Sequence, residues 1–181
     1  PLSCQAAIAL DAADREEALV STKTSQLLRQ SVEVAILRRQ ALDSAQQGNL
    51  EEAIDLLNKL IDHTPTSADY NNRGLLLFQN GQFAAALEDY NRALALNPKQ
   101  AKVYNNRANC YAALGQLLEA ISDYETAIDL DPSNLNAWVN QGITFRDLEL
   151  YSQAVENFDL ALRFASILQR HDRQHPSHLL E

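Results

Sequence analysis

The chain has 181 residues, 46% hydrophobic and 22% charged, the make-up of an ordinary globular chain rather than a disordered or fibrous one. A formal net charge of −9 argues against a nucleic-acid binder, which needs a basic face, and leaves room for a partner of basic character. No stretch is apolar for long enough to span a bilayer, and no signal peptide is visible.

The two cysteines, Cys4 and Cys110, lie far apart with no metal-type spacing, which fits a reducing compartment, so a cytoplasmic location is expected. A chain that opens on Pro1 rather than Met reads as a fragment or a processed product. Residues 1–25 are expected to form a capping or additional helix. The Ala/Leu-rich run from Cys4 to Val20 is helical in pattern, and Ser21-Thr22-Lys23-Thr24-Ser25 reads as a break followed by an N-cap. Such a helix either caps the neighbouring repeats or is left over from a preceding one, against the alternative of a helix that binds a partner or a second copy.

Residues 26–66 hold a degenerate helical hairpin. Ala41, Gly48, Ala53, Leu57 and Pro65 precede Gly74, Gly81, Ala86, Tyr90 and Pro98 by 33 residues each. Three clearer copies occupy 67–100, 101–134 and 135–168, offset by 34: Tyr70, Tyr104, Trp138; Gly74, Ala108, Gly142; Ala86, Ala120, Ala154; Tyr90, Tyr124, Phe158. In each, one apolar stripe at helical spacing is stopped at a turn, with Gly81 and Gly115 supplying a left-handed cap, and a second stripe ends near Asn97-Pro98 or its equivalent. Small residues sit where helices must approach closely, and large rings fill the holes. One hairpin cannot bury these stripes alone, so neighbours must stack. Residues 169–181 read as a polar tail. His171 and His175 within it have a spacing that could serve zinc, against the simpler reading of a solvated end.

The motif Trp138-x2-Gln141-Gly142-x2-Phe145 followed by Ala154-x3-Phe158, with its two stronger copies upstream, resembles the tetratricopeptide repeat (TPR) family. Arg73, Arg107 and Gln141 replace the family's usual Leu, Glu149 replaces the turn Gly, and the closing Pro is Ser166 in the last copy. The resemblance implies an all-α fold, a right-handed superhelical solenoid of stacked antiparallel helix hairpins, with a concave groove lined by the first helix of each. It also implies a non-enzymatic adaptor that binds a peptide or protein segment. The alternative is an assembly module that self-associates through its terminal helices or outer surface.

The groove side of the first helices would carry Asn71 and Asn72, then Lys102, Asn105, Asn106 and Asn109, then Asn136 and Asn140. Asn is a poor helix-interior residue, so the ladder Asn72, Asn106, Asn140 asks for a reason. An amide offers donors and an acceptor together and can bond the backbone of an extended peptide. The competing reading is that these amides bond within the scaffold or meet water. The family's carboxylate-gripping mode needs Lys and Arg where this chain has Asn71, Asn136 and Asn140, so that mode is not expected, although Asn106 matches its Asn. Lys102, Arg38 and Arg146 could add local positive charge. Arg73 and Arg107 are expected to pair with Asp89 and Asp123, and Cys110 to be a buried small hydrophobe. No phosphate loop, metal cluster or nucleophile–base pair is evident, so no cofactor and no catalysis are expected. The partner is an unidentified protein or extended peptide, or a second copy.

Overall fold

The structure, a computed structural model, describes the backbone of residues 4–174 and the side chains of residues 20–170. Among the described residues there are eight helices and no strand. The chain divides into two compact units, Pro1–His63 and Thr64–Glu181.

The first unit pairs α1 (Cys4–Gln46) with α2 (Leu50–His63). Ala41 of α1 is buried, as are Ala53, Leu57 and Leu60 of α2, so the apolar packing of the degenerate hairpin is aliphatic, and the buried Ser44 hydroxyl donates across it to Glu52 at 3.1 Å. The expected break at Ser21–Ser25 is absent, because α1 runs through it without interruption. The reason is local: the Thr24 hydroxyl donates to the Val20 carbonyl, 2.8 Å away and one turn back. A hydroxyl satisfied inside the helix no longer competes with it.

The second unit stacks three antiparallel hairpins, α3 (Ser67–Gln79) with α4 (Phe83–Leu96), α5 (Ala101–Ala113) with α6 (Leu117–Leu130), and α7 (Leu135–Asp147) with α8 (Tyr151–Gln174). Thr66 starts α3 with a reciprocal cap: its hydroxyl accepts from the Asp69 amide, and the Asp69 carboxylate accepts from the Thr66 amide. Tyr90 and Tyr124 are the largest side chains in the core, each lying across a small residue of its partner helix, Gly74 or Ala108. A Cβ on Gly74 would sit 2.8 Å from Tyr90 Cε1, and one on Gly142 would sit 2.7 Å from Phe158 Cε1. Those two positions are glycine because the ring occupies the side chain's space. α8 extends past Leu168 to Gln174, so part of the expected tail is helix, while His175 and His178 and the side chain of His171 lie outside the described residues.

The first-to-second helix turns take a left-handed residue at Gly48, Gly81 and Gly115, with φ of 82°, 75° and 76°. In the last hairpin Glu149 is forced to the same place at φ 60°. The Leu150 amide donates to Phe145 O and the Glu149 amide to Arg146 O, closing the same motif that glycine closes elsewhere. A Cβ in this conformation costs about 1 kcal/mol. Glu149→Gly should therefore raise the unfolding free energy by about that amount in urea titrations followed by circular dichroism.

Arg73 and Arg107 form the expected pairs, each joining a half-buried guanidinium to a buried carboxylate. Arg73 Nε and Nη2 donate to Asp89 at 2.7 and 2.6 Å, and Arg107 Nε and Nη2 donate to Asp123 at 2.6 and 2.8 Å. Each is a two-point, charge-assisted contact tying first helix to second. Cys110 is fully buried, its thiol donating to Phe83 O, and burial pushes its pKa up from 9.0 to about 11. Burial raises the Tyr90 and Tyr124 hydroxyls as well. A group whose folded pKa is raised gives stability that is intact below its unfolded pKa and is lost as pH rises through the folded one. The Cys110 contribution should therefore decline between pH 9 and about 11. Urea midpoints measured over that window should fall less steeply in Cys110→Ala than in the wild type, with the tyrosines giving the remaining slope.

Candidate peptide-binding face

Within the second unit α3 packs on α5 and α5 on α7, whereas among the described residues no comparable contact joins the second helices to one another. The hairpins are therefore closer together along their first helices, and the unit curves toward them. That inner side is the candidate face.

The eight sequence-derived residues divide by exposure. Asn72, Lys102 and Asn136 are exposed, Asn109 and Asn140 are half-buried, and Asn71, Asn105 and Asn106 are buried. The ladder at 34-residue spacing is thus not uniform: its three amides sit at three depths. The cause is that amides of successive hairpins bond each other. Asn106 Nδ2 donates to Asn71 Oδ1 at 3.0 Å, and Asn71 Nδ2 lies 3.5 Å from Asn72 Oδ1. One hairpin on, Asn140 Nδ2 donates instead to Asn109 Oδ1 at 2.9 Å, and the same oxygen accepts from the Tyr124 hydroxyl at 2.6 Å. Asn105, which takes the register place of Asn71, is left with a buried Oδ1 that has no partner. Asn71, Asn106 and Asn109 therefore serve as bolts between hairpins, and Asn72, Lys102 and Asn136 present open polar groups. Tyr124 belongs to this network although it lies on a second helix. The available signal was that Asn109 is polar where Leu75 and Ile143 are not.

Two exposed apolar side chains of α7 lie at the far end of the face, Ile143 and Val139, the latter also lining an apolar hollow against Phe158, Ala161 and Leu162 of α8. Arg146 donates to its neighbour Asp147 at 3.0 and 2.7 Å. Among the described residues there is no group of three or more His, Cys, Asp and Glu side chains arranged to hold a metal, and no helix long and apolar enough to cross a membrane.

This fold and face define a helical-repeat protein. The tetratricopeptide repeat family model matches residues 71–134 and 111–166, more than half of the chain, and the chain belongs to that family. Its fold is the family's: all-α, a right-handed superhelical solenoid of stacked antiparallel hairpins. No curated protein matches the sequence. Among solved structures it is similar to MamA, with a TM-score of 0.72 and 26% identity over 76% of this chain and 81% of that one. It is also similar to the first TPR of Spaghetti (RPAP3) bound to the HSP90 peptide SRMEEVD, with a TM-score of 0.63 and 32% identity over 65% of this chain and 94% of that one. A tetratricopeptide repeat protein from Parabacteroides merdae matches with a TM-score of 0.66 and 27% identity, over 72% of this chain and 53% of that one.

Proposed function

We propose that the chain is a non-enzymatic interaction adaptor whose second unit holds an extended segment of a partner protein against the inner face of α3, α5 and α7. The observation that carries this reading is the mixture on that face: open polar side chains at Asn72, Lys102 and Asn136 beside exposed Val139 and Ile143. An extended backbone alternates donors and acceptors, and an amide answers both. Each such bond contributes about 0.5–1.5 kcal/mol net, so the two apolar side chains are needed to add burial at about 25 cal/mol per Å². The peptide-bound RPAP3 domain supports the reading by likeness. The peptide it holds is acidic, whereas this chain carries a net charge of −9 and has Asn136 and Asn140 where an acidic tail would be gripped by basic side chains. The favoured segment is therefore neutral or basic.

The test is to select peptides from a random display library on the full chain, then titrate them against an Asn72→Ala/Asn136→Ala/Val139→Asp variant. All three sites are exposed, so the fold should survive. Binding should weaken at least tenfold, and unchanged affinity would overturn the reading.

A second reading, self-association, is favoured by the exposed run Leu27, Leu28, Val32 and Ile36 on α1. It expects sedimentation that shifts with protein concentration and reverts to a single monomeric species in Leu28→Asp/Ile36→Asp.

A further inference from the structure

The α7–α8 hairpin lacks a side chain that the two hairpins before it have. In the α5–α6 hairpin, Arg107 reaches across to Asp123 and also donates through Nη1 to Asn91 Oδ1 at 2.6 Å. Its guanidinium carbon lies 5.4 Å from the ring centre of Tyr104 and 5.9 Å from that of Tyr111. Two aromatic rings, one carboxylate and one amide thus define a slot for a planar cation.

At the same register, 34 residues on, Arg107 becomes Gln141. The rings remain, as Trp138 and Phe145, and the acceptor in place of Asp123 is Asn157. The shorter Gln141 does not fill the space, and a hollow of about 310 Å³ opens there, lined by these four residues together with Glu125, Asp129 and Glu156 among others. Gln141 turns its amide to Ile121 O at a long 3.4 Å. Asn157 is only 6% exposed, gives its Nδ2 to Gln153 O, and keeps an Oδ1 that is buried without any partner. A buried acceptor left unmet is costly, and the Asp123 carboxylate that stands at this place one hairpin earlier is met by Arg107.

The rim has changed in the complementary sense. Glu125 stands where Asn91 does, Asp129 where Ala95 does, and Glu156 where Ser122 does. Three carboxylates have been added around a slot that has lost its arginine, and no Lys or Arg lines it.

We propose that this hollow is a receptor for a guanidinium supplied in trans, the side chain of an arginine in a partner polypeptide. The arginine enters between Trp138 and Phe145 and is held by Glu125, Asp129 and Glu156, with the buried amide of Asn157 at the floor in place of a carboxylate. Its five fixed donors suit a site with several acceptors around a flat cleft, where a lysine offers only a point charge. The site lies among α6, α7 and α8 and draws on none of the eight residues of the inner face. It therefore goes beyond the adaptor reading and stands or falls separately.

Trp138 is the chain's single tryptophan, so its fluorescence reports on the hollow directly. The experiment titrates the full chain at constant ionic strength with N-acetyl-arginine methylamide, and in parallel with free arginine, with N-acetyl-lysine methylamide and with the neutral N-acetyl-citrulline methylamide. The blocked arginine should give a saturable change with an affinity at least tenfold above citrulline. The lysine derivative should fall between them, and free arginine should bind more weakly than the blocked form because its own carboxylate meets the acidic rim. Two variants complete the test. Glu125→Gln/Glu156→Gln alters exposed positions only and should weaken the arginine response at least fivefold. Gln141→Arg should refill the slot from within, abolish the response and raise the unfolding midpoint. Equal responses to arginine and citrulline, no response to arginine, or an unchanged response in the Glu125→Gln/Glu156→Gln protein would overturn the proposal.

Discussion

Arg107→Met should lower the unfolding free energy by about 3–5 kcal/mol, the cost of leaving one member of a buried pair alone. The Asp123 side chain is 9% exposed and takes both of its guanidinium bonds from Arg107. Without the cation, that carboxylate is left in a poorly solvated site with its strongest donor gone. The double variant Arg107→Met/Asp123→Leu should recover most of the loss, since a buried pair is often no better than apolar side chains of similar volume. The contrast is Arg92, which lies 3.8 Å from Glu88 with both side chains more than half exposed. There Arg92→Ala should change stability by about 0.5 kcal/mol or less. Urea titrations of the four proteins check this, and a large loss at Arg92 or none at Arg107 would contradict it. Both singles act on one or two hairpins. Because repeat stability sums over neighbours, Arg107→Met should also broaden the transition as the middle hairpin uncouples.

Tyr90→Ala should cost about 3–5 kcal/mol, comparable to other large aromatic truncations in cores. Tyr90 is fully buried and lies over Gly74, which has no side chain of its own to fill the space the ring would leave. Tyr90→Phe should behave in the opposite way. The Tyr90 hydroxyl is buried with no hydrogen-bond partner, and removing it should leave stability unchanged or raise it by about 1 kcal/mol. Tyr124→Phe at the equivalent place should instead lose about 0.5–1.5 kcal/mol, because that hydroxyl donates to Asn109 at 2.6 Å. Thermal and urea unfolding of the three variants would separate ring packing from hydroxyl bonding. A destabilised Tyr90→Phe would mean that the hydroxyl has a partner after all.

The repeat register was legible in the residues because it rests on chain-local chemistry. Glycines or a strained Glu149 stop the first helices, small residues face large rings, and Arg at 73 and 107 meets Asp at 89 and 123, all at one period. Where sequence reasoning erred, the competing terms were small. The run Ser21–Ser25 has enough hydroxyls to break a helix, yet propensity differences of a few tenths of a kcal/mol per residue are easily outweighed, and Thr24 bonds back into α1.

Residue order alone settles how the repeat helices pair and that the pairs recur, though not where the first and last helices end. What the asparagines do is settled only by the packed hairpins. Three amides at identical register ended exposed, buried and half-buried, because Asn72 meets only its own helix while Asn106 and Asn140 each bond what the hairpin before offers. For Asn106 that is Asn71, and for Asn140 it is Asn109, an amide that stands where the hairpin before has Leu75. The empty slot beside Trp138 was hidden for the same reason. A Gln in place of an Arg is one letter in the chain, but the space it vacates exists only once α6, α7 and α8 are packed around it.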